Sequence, residues 1–139
     1  DIFNYIATAK VTFLYGENPY VIMPIELSNE PLLSFMHAAN KVALYGPSWI
    51  LLTAIPYFTG FGNLFLTLFT FKLFNFMFYL GSCYLIYTLS KKDVFRLSLF
   101  AFNPLIIIET LVSGHNDIVM VFFALSAFHL IRPVPLIYS

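Results

Sequence analysis

Apolar residues dominate the last two thirds of this chain, whereas the first third mixes polar and apolar positions. Within residues 42–90 the only charged side chain is Lys72, and within residues 97–131 only Glu109 and Asp117 are charged. A helix that crosses a membrane needs about 20 mostly apolar residues. The pattern therefore predicts a moderately polar first part, followed by several helices embedded in a membrane.

Three apolar segments are predicted to be transmembrane helices. Residues 63–90 are long enough, because an α-helix rises about 1.5 Å per residue and the hydrocarbon core is about 30 Å thick. Residues 94–113 just suffice. Residues 117–132 are short, so a helix there either continues past this point or begins in the preceding loop.

A fourth apolar segment, residues 47–60, is shorter still. It spans about 20 Å as a helix, and it contains Pro56. Pro47, which follows Gly46, suits the first position of a helix. We predict a short membrane-inserted helix here, and the alternative is a full crossing that also uses residues 42–46.

The first part, residues 1–46, is predicted to be a loop that carries two short amphipathic juxtamembrane helices. In the first helix, apolar residues recur every three to four positions, namely Ile2, Ile6, Ala9 and Phe13. Ser28 or Asn29 can cap the second helix, with Pro31 in its first turn. The expected fold class is therefore all-α, a polytopic membrane helix bundle.

Composition supports this fold class and argues against others. Hydrophobic residues make up 60% of the 139 residues and charged residues only 10%, whereas soluble domains carry about 25% charge. The formal net charge is zero, so no basic surface for nucleic acid is expected. A single cysteine, Cys83, excludes an internal disulfide. Because the chain begins at Asp1 rather than Met, we expect a piece of a longer protein that is inactive alone.

The orientation in the membrane follows from one cationic cluster, Lys91, Lys92 and Arg96. Loops rich in Lys and Arg stay in the cytoplasm, so residues 91–96 are predicted to be cytoplasmic. The loops at residues 1–46 and 113–117 are then extracytoplasmic, provided that residues 47–60 do not cross. A full crossing there would place the two loops on opposite faces and would exclude a shared site.

Ionisable residues within the apolar part are the candidates for chemistry, because charge in a membrane span is costly. Asp117 is one candidate, and its structural alternative is a cap for the helix that follows. Glu109 either pairs with Lys72 or faces a cavity. His115 and Asp117 are too few ligands for a metal ion, so no metal site is predicted.

Five short motifs occur in a particular order: Asp1 with Tyr5, GENPY at 16–20, YGP at 45–47, NPL at 103–105 with Glu109, and GHND at 114–117. In this order they resemble the GT-C superfamily of polytopic glycosyltransferases, and most closely bacterial polyprenyl-phosphate-dependent mannosyltransferase-like proteins. The resemblance covers nearly the whole chain.

The resemblance implies a glycosyltransferase of the cell envelope. Such enzymes move a sugar, here a mannose-like hexose, from a polyprenyl-phosphate carrier to a glycan or lipid acceptor on the extracytoplasmic face, with inversion. Asp1 matches the acidic residue that activates the acceptor, and Asp117 matches a second acid of the same cavity. The implied partners are a lipid-linked sugar donor, the acceptor and membrane lipid, without nucleic acid.

The same motifs imply a set of substrate-binding residues: Tyr5, Asn18, Tyr20, Tyr45, Glu109, His115 and Asn116. The tyrosines suit sugar faces, and they suit an aromatic belt at the membrane surface as well. Metal-dependent relatives carry two acids in the second motif, but residues 116–119 hold only one. No cofactor is therefore predicted, and cations would stabilise the leaving phosphate, the candidates being Lys10, Lys41 and Lys72.

Two other classes of function remain open. A transporter also places ionisable residues within spans and uses broken helices, for which Asn103 and Pro104 are candidates. A non-catalytic GT-C-like membrane protein would keep the fold and would tolerate the loss of Asp1.

Overall fold

The computed structural model describes residues 2–27, 31–36 and 38–131, with the backbone alone for residues 31 and 32. Every regular element in these ranges is helical, and none of them contains a strand, which confirms the all-α prediction. Asp1, Ser28 and Asn29 lie outside the described residues. The chain divides into two compact units, Asp1–Phe74 and Asn75–Ser139.

The first unit is built around helix α1 (Ile2–Phe13). Two short helices, α2 (Pro47–Leu52) and α3 (Ala54–Thr59), pack against it, as do two 3-10 helical turns, Pro24–Glu26 and Pro31–Phe35. The second of these turns occupies the place of the second juxtamembrane helix that the sequence predicts. Before residue 64, the described part of the first unit therefore has one regular helix of about three turns, with short elements around it.

Burial on α1 extends beyond the single apolar face that its periodicity predicts. The buried residues are Ile2, Tyr5, Ile6, Ala7, Thr8, Ala9 and Val11. A helix lying on a membrane surface keeps a wide polar face in water. Because neighbours cover α1 on several sides, it is a core helix of its unit rather than a surface helix.

The apolar segment 47–60 is divided into α2 and α3 at Thr53. Pro56 explains the break, because its ring clashes with the carbonyl of Leu52, four residues earlier, and it has no N–H to donate. The buried Thr53 hydroxyl donates to the Ile50 carbonyl at 2.6 Å. Each helix has 6 residues and is only about 9 Å long, so neither reaches across a membrane by itself.

Helix α4 (Leu64–Leu89) is the only helix in the described part of the chain that is long and apolar enough to cross a membrane by itself. Only 17% of its most apolar stretch is buried, and Phe65 and Phe69 are 81% and 62% exposed. Apolar surface of this extent is unusual for a protein in water. We expect lipid or further protein to cover it.

The span predicted over residues 94–113 as one helix is broken. Helix α5 (Val94–Ala101) is followed by α6 (Pro104–Ile107), which continues as a π-helical turn (Ile108–Val112), and the axis bends by 50° between them. Pro104 has no N–H to continue α5, and it disfavours helical backbone at the residue before it. That residue, Asn103, caps α6 by accepting the Leu105 N–H at 3.0 Å.

The bent pair is together long and apolar enough for one span, whereas α7 (Asp117–Ile131) has 15 residues and is apolar but shorter. Within the second unit, α7 packs closely on α4, since a Cβ on Gly81 would lie 2.6 Å from the Phe122 ring. Tyr79 ties α4 to α5, because its hydroxyl donates to the Ala101 carbonyl at 2.6 Å.

Candidate functional site

The loop between the π-helical turn and α7 folds back on itself. The Ser113 N–H donates to the Ile108 carbonyl at 2.8 Å, one residue further back than in an α-helix. Gly114 then has a left-handed backbone with φ +74°, which glycine adopts without strain. The His115 N–H returns to the Glu109 carbonyl at 2.9 Å. The reversal brings the side chain of His115 next to that of Glu109.

His115 lies between two carboxylates. Its Nε2 atom is 3.4 Å from Glu109 Oε2, and its Nδ1 atom is 4.0 Å from Asp117 Oδ2. The side chain of Asp117 is 71% exposed, whereas those of Glu109 and His115 are 44% and 34% exposed. A neutral imidazole donates from one nitrogen only, whereas an imidazolium donates from both. The ring can therefore hold a proton on the side of either carboxylate.

A buried amide on α4 fixes the backbone of this loop. Asn75 is 3% exposed, and its Nδ2 donates to the carbonyls of Gly114 at 3.0 Å and His115 at 3.2 Å. Its Oδ1 is buried, and no donor reaches it from the described residues. The position of the GHND loop thus depends on a residue 39 positions earlier in the chain.

An open cleft of about 240 Å³ includes both carboxylates in its wall. Thr110 adds a hydroxyl, and the remaining lining residues are apolar: Phe100, Leu105, Ile106, Ile118 and Val121. Ligand sites are commonly apolar, with a few placed polar groups that orient the ligand. This cleft suits an amphiphilic ligand that has both an apolar part and hydroxyl groups.

The alternative role of Asp117, stabilising the start of α7, stays open, because a carboxylate in the first turn of a helix is favoured by the helix dipole. Asp117 is already the first residue of α7, and in the described part of the chain its carboxylate faces His115 rather than a backbone N–H. Glu109 has His115 as its partner within the second unit. Pairing of Glu109 with Lys72, which belongs to the first unit, stays a prediction.

The tyrosines and the asparagine predicted to bind substrate in the first part have structural contacts. Tyr5 is 2% exposed, and its ring centroid is 4.8 Å from that of Tyr45 and 5.1 Å from that of Trp49. Asn18 Oδ1 accepts the Tyr20 N–H at 3.0 Å, and the Tyr20 hydroxyl donates to the Tyr45 carbonyl at 2.7 Å. Contact between these residues and a substrate stays a prediction.

Three further expectations concern Asp1, Asn116 and metal ions. Asp1 lies outside the described residues, so its role as base stays a prediction. Asn116 precedes α7, and its carbonyl accepts the Val119 N–H at 3.0 Å. No group of three or more His, Cys, Asp and Glu side chains that could hold a metal ion occurs among the residues that the structure describes.

Motif matching did not select Asn75, although the sequence contains a signal for it. Asn75 is the only amide side chain in the 26 residues of α4. A polar group in an apolar helix needs a partner, and such residues are candidates for function. The sequence does not reveal that the partner is the GHND loop, because that contact depends on how α4 and the loop pack.

Within the described residues, these features define a helical protein with one helix that is by itself of membrane-crossing length and with two carboxylates in an apolar cleft. The model of the MptA_B family, described as the N-terminal domain of alpha-(1->6)-mannopyranosyltransferase, matches residues 1–137. The chain therefore belongs to this mannosyltransferase family, which confirms the resemblance noted from its motifs. No curated protein and no solved structure matches the chain.

Proposed function

We propose that this chain is part of a membrane enzyme that transfers mannose from a polyprenyl-phosphate-linked donor to a glycan or lipid acceptor on the extracytoplasmic face. The observation that carries the proposal is the family match over residues 1–137. The apolar cleft with carboxylates in its wall supports a donor that combines a lipid with a sugar. In this proposal α4 is one span of a polytopic bundle that further helices complete.

The proposed transfer inverts the configuration at the anomeric carbon. The acceptor hydroxyl oxygen attacks C1 of mannose from the face opposite the phosphate, while a carboxylate takes the hydroxyl proton. The bond between C1 and the phosphate oxygen breaks, and polyprenyl phosphate leaves with the bonding electrons. A carboxylate suffices as general base because phosphate is a good leaving group, and it must lie within hydrogen-bond reach of the acceptor.

The two acids have different roles in this proposal. Asp1, at the start of the first outer loop, is the base. Asp117 binds a sugar hydroxyl in the cleft, where His115 Nδ1 lies 4.0 Å from its carboxylate. Glu109 holds the other side of the imidazole, so that His115 keeps one orientation while substrates enter and leave.

The test is mannosyl transfer by the full-length enzyme in membrane vesicles, with radiolabelled mannosyl phosphopolyprenol as donor. Asp1→Asn should lower turnover by about a hundredfold or more, the usual scale for loss of a general base, while donor binding is retained. Asp117→Asn should also lower turnover. The anomeric configuration of the product, read by NMR, should be opposite to that of the donor.

Asp93→Asn is the matched control, because it removes a carboxylate that plays no part in the proposed site. Asp93 Oδ1 caps α5 by accepting the N–H groups of Phe95 and Arg96 at 2.9 and 3.2 Å, and asparagine caps helices about as well as aspartate. Turnover should therefore be unchanged in this variant. Near-normal turnover in both Asp1→Asn and Asp117→Asn, or a product that retains the donor configuration, would refute the proposal.

Transport is the second candidate, because the bent helix pair around Asn103 and Pro104 is a feature that transporters share. Liposomes that contain the full-length protein distinguish the two functions. Transfer predicts labelled acceptor only when donor and acceptor are both present. Transport predicts that label crosses the bilayer without acceptor and without breakage of the sugar–phosphate bond.

A further inference from the structure

The break between α5 and α6 takes the helical donor away from one backbone carbonyl. In a continuous helix the Leu105 N–H would donate to the Ala101 carbonyl, four residues earlier. Here the backbone at Asn103 is extended, with ψ 118°, and the Leu105 N–H donates to Asn103 Oδ1 at 3.0 Å instead. A carbonyl in apolar surroundings is costly without a partner, so that of Ala101 needs a donor from outside its own helix.

Tyr79 supplies that donor from α4, within the same unit of the chain. Its hydroxyl donates to the Ala101 carbonyl at 2.6 Å, across 22 positions of sequence. Tyr79 is only 9% exposed, and a hydrogen bond that is shielded from water is stronger than one at a wet surface. The hydroxyl therefore takes the place of the N–H group that the break removes.

The ring of Tyr79 holds the same end of α5 through a second contact. Its centroid lies 6.2 Å from that of Phe100, with an angle of 18° between the ring planes. It also lies 6.1 Å from that of Phe76, with an angle of 20°. Aromatic rings attract one another at such separations. Because Phe76 belongs to α4 and Phe100 to α5, Tyr79 joins the two helices by its ring as well as by its hydroxyl.

The walls of the open cleft come from both sides of this break. Phe100 precedes the break, whereas Leu105, Ile106 and Glu109 follow it. The axis bends by 50° between α5 and the helical stretch Pro104–Val112. A change of this angle would move the Phe100 ring relative to the Glu109 carboxylate, so the bend sets the width of the cleft.

A second hydrogen-bonding group on α4 holds the far end of the same stretch. Asn75 lies four residues before Tyr79, so both side chains share one face of α4. Asn75 Nδ2 donates to the carbonyls of Gly114 and His115. One face of α4 therefore holds the chain before and after Pro104–Val112, the stretch that carries much of the cleft wall.

We propose that Tyr79 is a positioning residue for the cleft, because its hydroxyl holds the Ala101 carbonyl and thereby fixes the bend. A proline break permits a range of angles, since it removes a hydrogen bond without adding one. The bond from Tyr79 selects one angle. Tyr79 is not among the residues that line the cleft, so it acts through Phe100 and the backbone. Its effect on the lipid-linked donor rests on the proposed function.

The first experiment is amide hydrogen exchange on the full-length protein in detergent. Tyr79→Phe keeps the stacked ring and removes only the hydroxyl. Exchange at residues 105–110 should accelerate about three- to tenfold, the factor that corresponds to the loss of one net hydrogen bond. Tyr84→Phe is the matched control, because Tyr84 lies on the same helix, is 67% exposed and does not line the cleft. It should leave this exchange unchanged.

A continuous helix should make the Tyr79 hydroxyl unnecessary. Asn103→Ala together with Pro104→Ala removes the cap and the proline. The Leu105 N–H can then donate to the Ala101 carbonyl. Tyr79→Phe should lower the equilibrium constant for folding about three- to tenfold in the natural background, and less than about twofold in this second one. Equal losses in both backgrounds, with the Leu105 amide protected from exchange in the second, would overturn the proposal.

Donor kinetics distinguish a positioning role from a purely structural one. In the full-length enzyme Tyr79→Phe should raise the KM for mannosyl phosphopolyprenol about three- to tenfold, with kcat changed less than about twofold. The reason is that a cleft which less often has its binding shape weakens binding rather than chemistry. Tyr84→Phe should keep a normal KM. A normal KM in Tyr79→Phe would show that the bend does not shape the donor site.

Failure of this inference is distinguishable from failure of the proposed function. If the full-length protein transfers no mannose, hydrogen exchange and the comparison of the two backgrounds still decide whether Tyr79 fixes the bend. Conversely, exchange at residues 105–110 that is the same in Tyr79→Phe and Tyr84→Phe would refute the role of Tyr79. The transferase assignment would still stand in that case.

Discussion

At the scale of single residues, the candidate site depends on how one buried amide uses its two N–H groups. Asn75 donates both to carbonyls of the GHND loop, at 3.0 and 3.2 Å. Those carbonyls belong to Gly114 and to His115 itself. The two hydrogen bonds therefore fix the backbone on both sides of the His115 Cα atom, which carries the imidazole. Asn75 therefore holds the backbone that carries His115 between Glu109 and Asp117.

Asn75→Leu should release this loop. The two carbonyls lose their donor, which should lower the free energy of unfolding by about 1–3 kcal/mol. In the full-length enzyme kcat should fall about 10- to 100-fold with little change in KM for the donor, because misplaced groups weaken catalysis more than binding. Amide hydrogen exchange at His115, whose N–H donates to Glu109, should accelerate.

Ser82→Ala is the control for a purely structural effect. Ser82 is fully buried on the same helix, and its hydroxyl donates to the Phe78 carbonyl at 2.9 Å. This variant should lose stability of the same order, but it should keep normal exchange at His115 and normal kcat. If both variants change kcat equally, Asn75 has no positioning role.

For the candidate site, the sequence predicted which residues are candidates but not which of their side chains contact one another. Charge in apolar sequence directed attention to Glu109, His115 and Asp117, and the structure brings these three side chains together. Their role in binding or catalysis stays a prediction. The contact between Glu109 and His115 could not be predicted from helical spacing, because it requires a π-helical turn followed by a left-handed Gly114. Helix spacing instead suggested Lys72 as the partner of Glu109, and that pairing stays untested.

At the scale of elements, the first unit depends on the close approach of α3 to α4 at Gly60. A Cβ at this position would lie 2.8 Å from the backbone Cα of Thr67, and nearer still to its hydroxyl oxygen. Thr70 Oγ1, one turn later on α4, donates to the Pro56 carbonyl at 2.7 Å. Any side chain on Gly60 must therefore separate the two helices.

Gly60→Ala should destabilise the chain by about 1–3 kcal/mol, the usual cost of overpacking. The measurement is thermal unfolding in detergent, followed by Trp49 fluorescence. Gly46→Ala is the matched control, because a Cβ there meets no atom within 4 Å and the backbone φ is −64°. That change should be neutral or stabilising by up to about 1 kcal/mol. Equal melting temperatures for the two variants would contradict this account of Gly60.

The elements also differ in how well their sequence predicted them. The helical periodicity of α1 and the apolar run of α4 were sufficient to locate both helices. Periodicity underestimated the burial of α1, because Ala7, Thr8 and Tyr5 contribute little to an apolar pattern, and because short helices and 3-10 turns distant in sequence pack on α1. The break before Pro104 was foreseen only as a possibility, since proline permits either a kink or an end.

At the scale of the whole molecule, the family assignment and the apolar surface both favour a membrane protein. Residues 1–137 match a mannosyltransferase domain, and α4 leaves large apolar side chains uncovered. The number of crossings is not fixed by length alone, because α2 and α3 are each too short, the α5–α6 pair is bent, and α7 has only 15 residues. Whether residues 47–60 cross therefore decides whether the first loop and the GHND loop can share a site, and the orientation of α4 decides on which face the GHND loop lies.

Labelling of single cysteines in a Cys83→Ser background of the full-length protein tests this orientation in intact cells. Asn40→Cys, Phe61→Cys and Ser113→Cys should react with an impermeant thiol reagent, whereas Lys92→Cys should react only after the membrane is permeabilised. The expectation rests on the cluster of Lys91, Lys92 and Arg96, since cationic loops stay in the cytoplasm. Phe61 is 85% exposed, so its side chain should be accessible.

Label at Phe61→Cys but not Asn40→Cys would show that residues 47–60 cross completely. In that case the first loop and the GHND loop lie on opposite faces, and Asp1 and Asp117 cannot act on the same substrate.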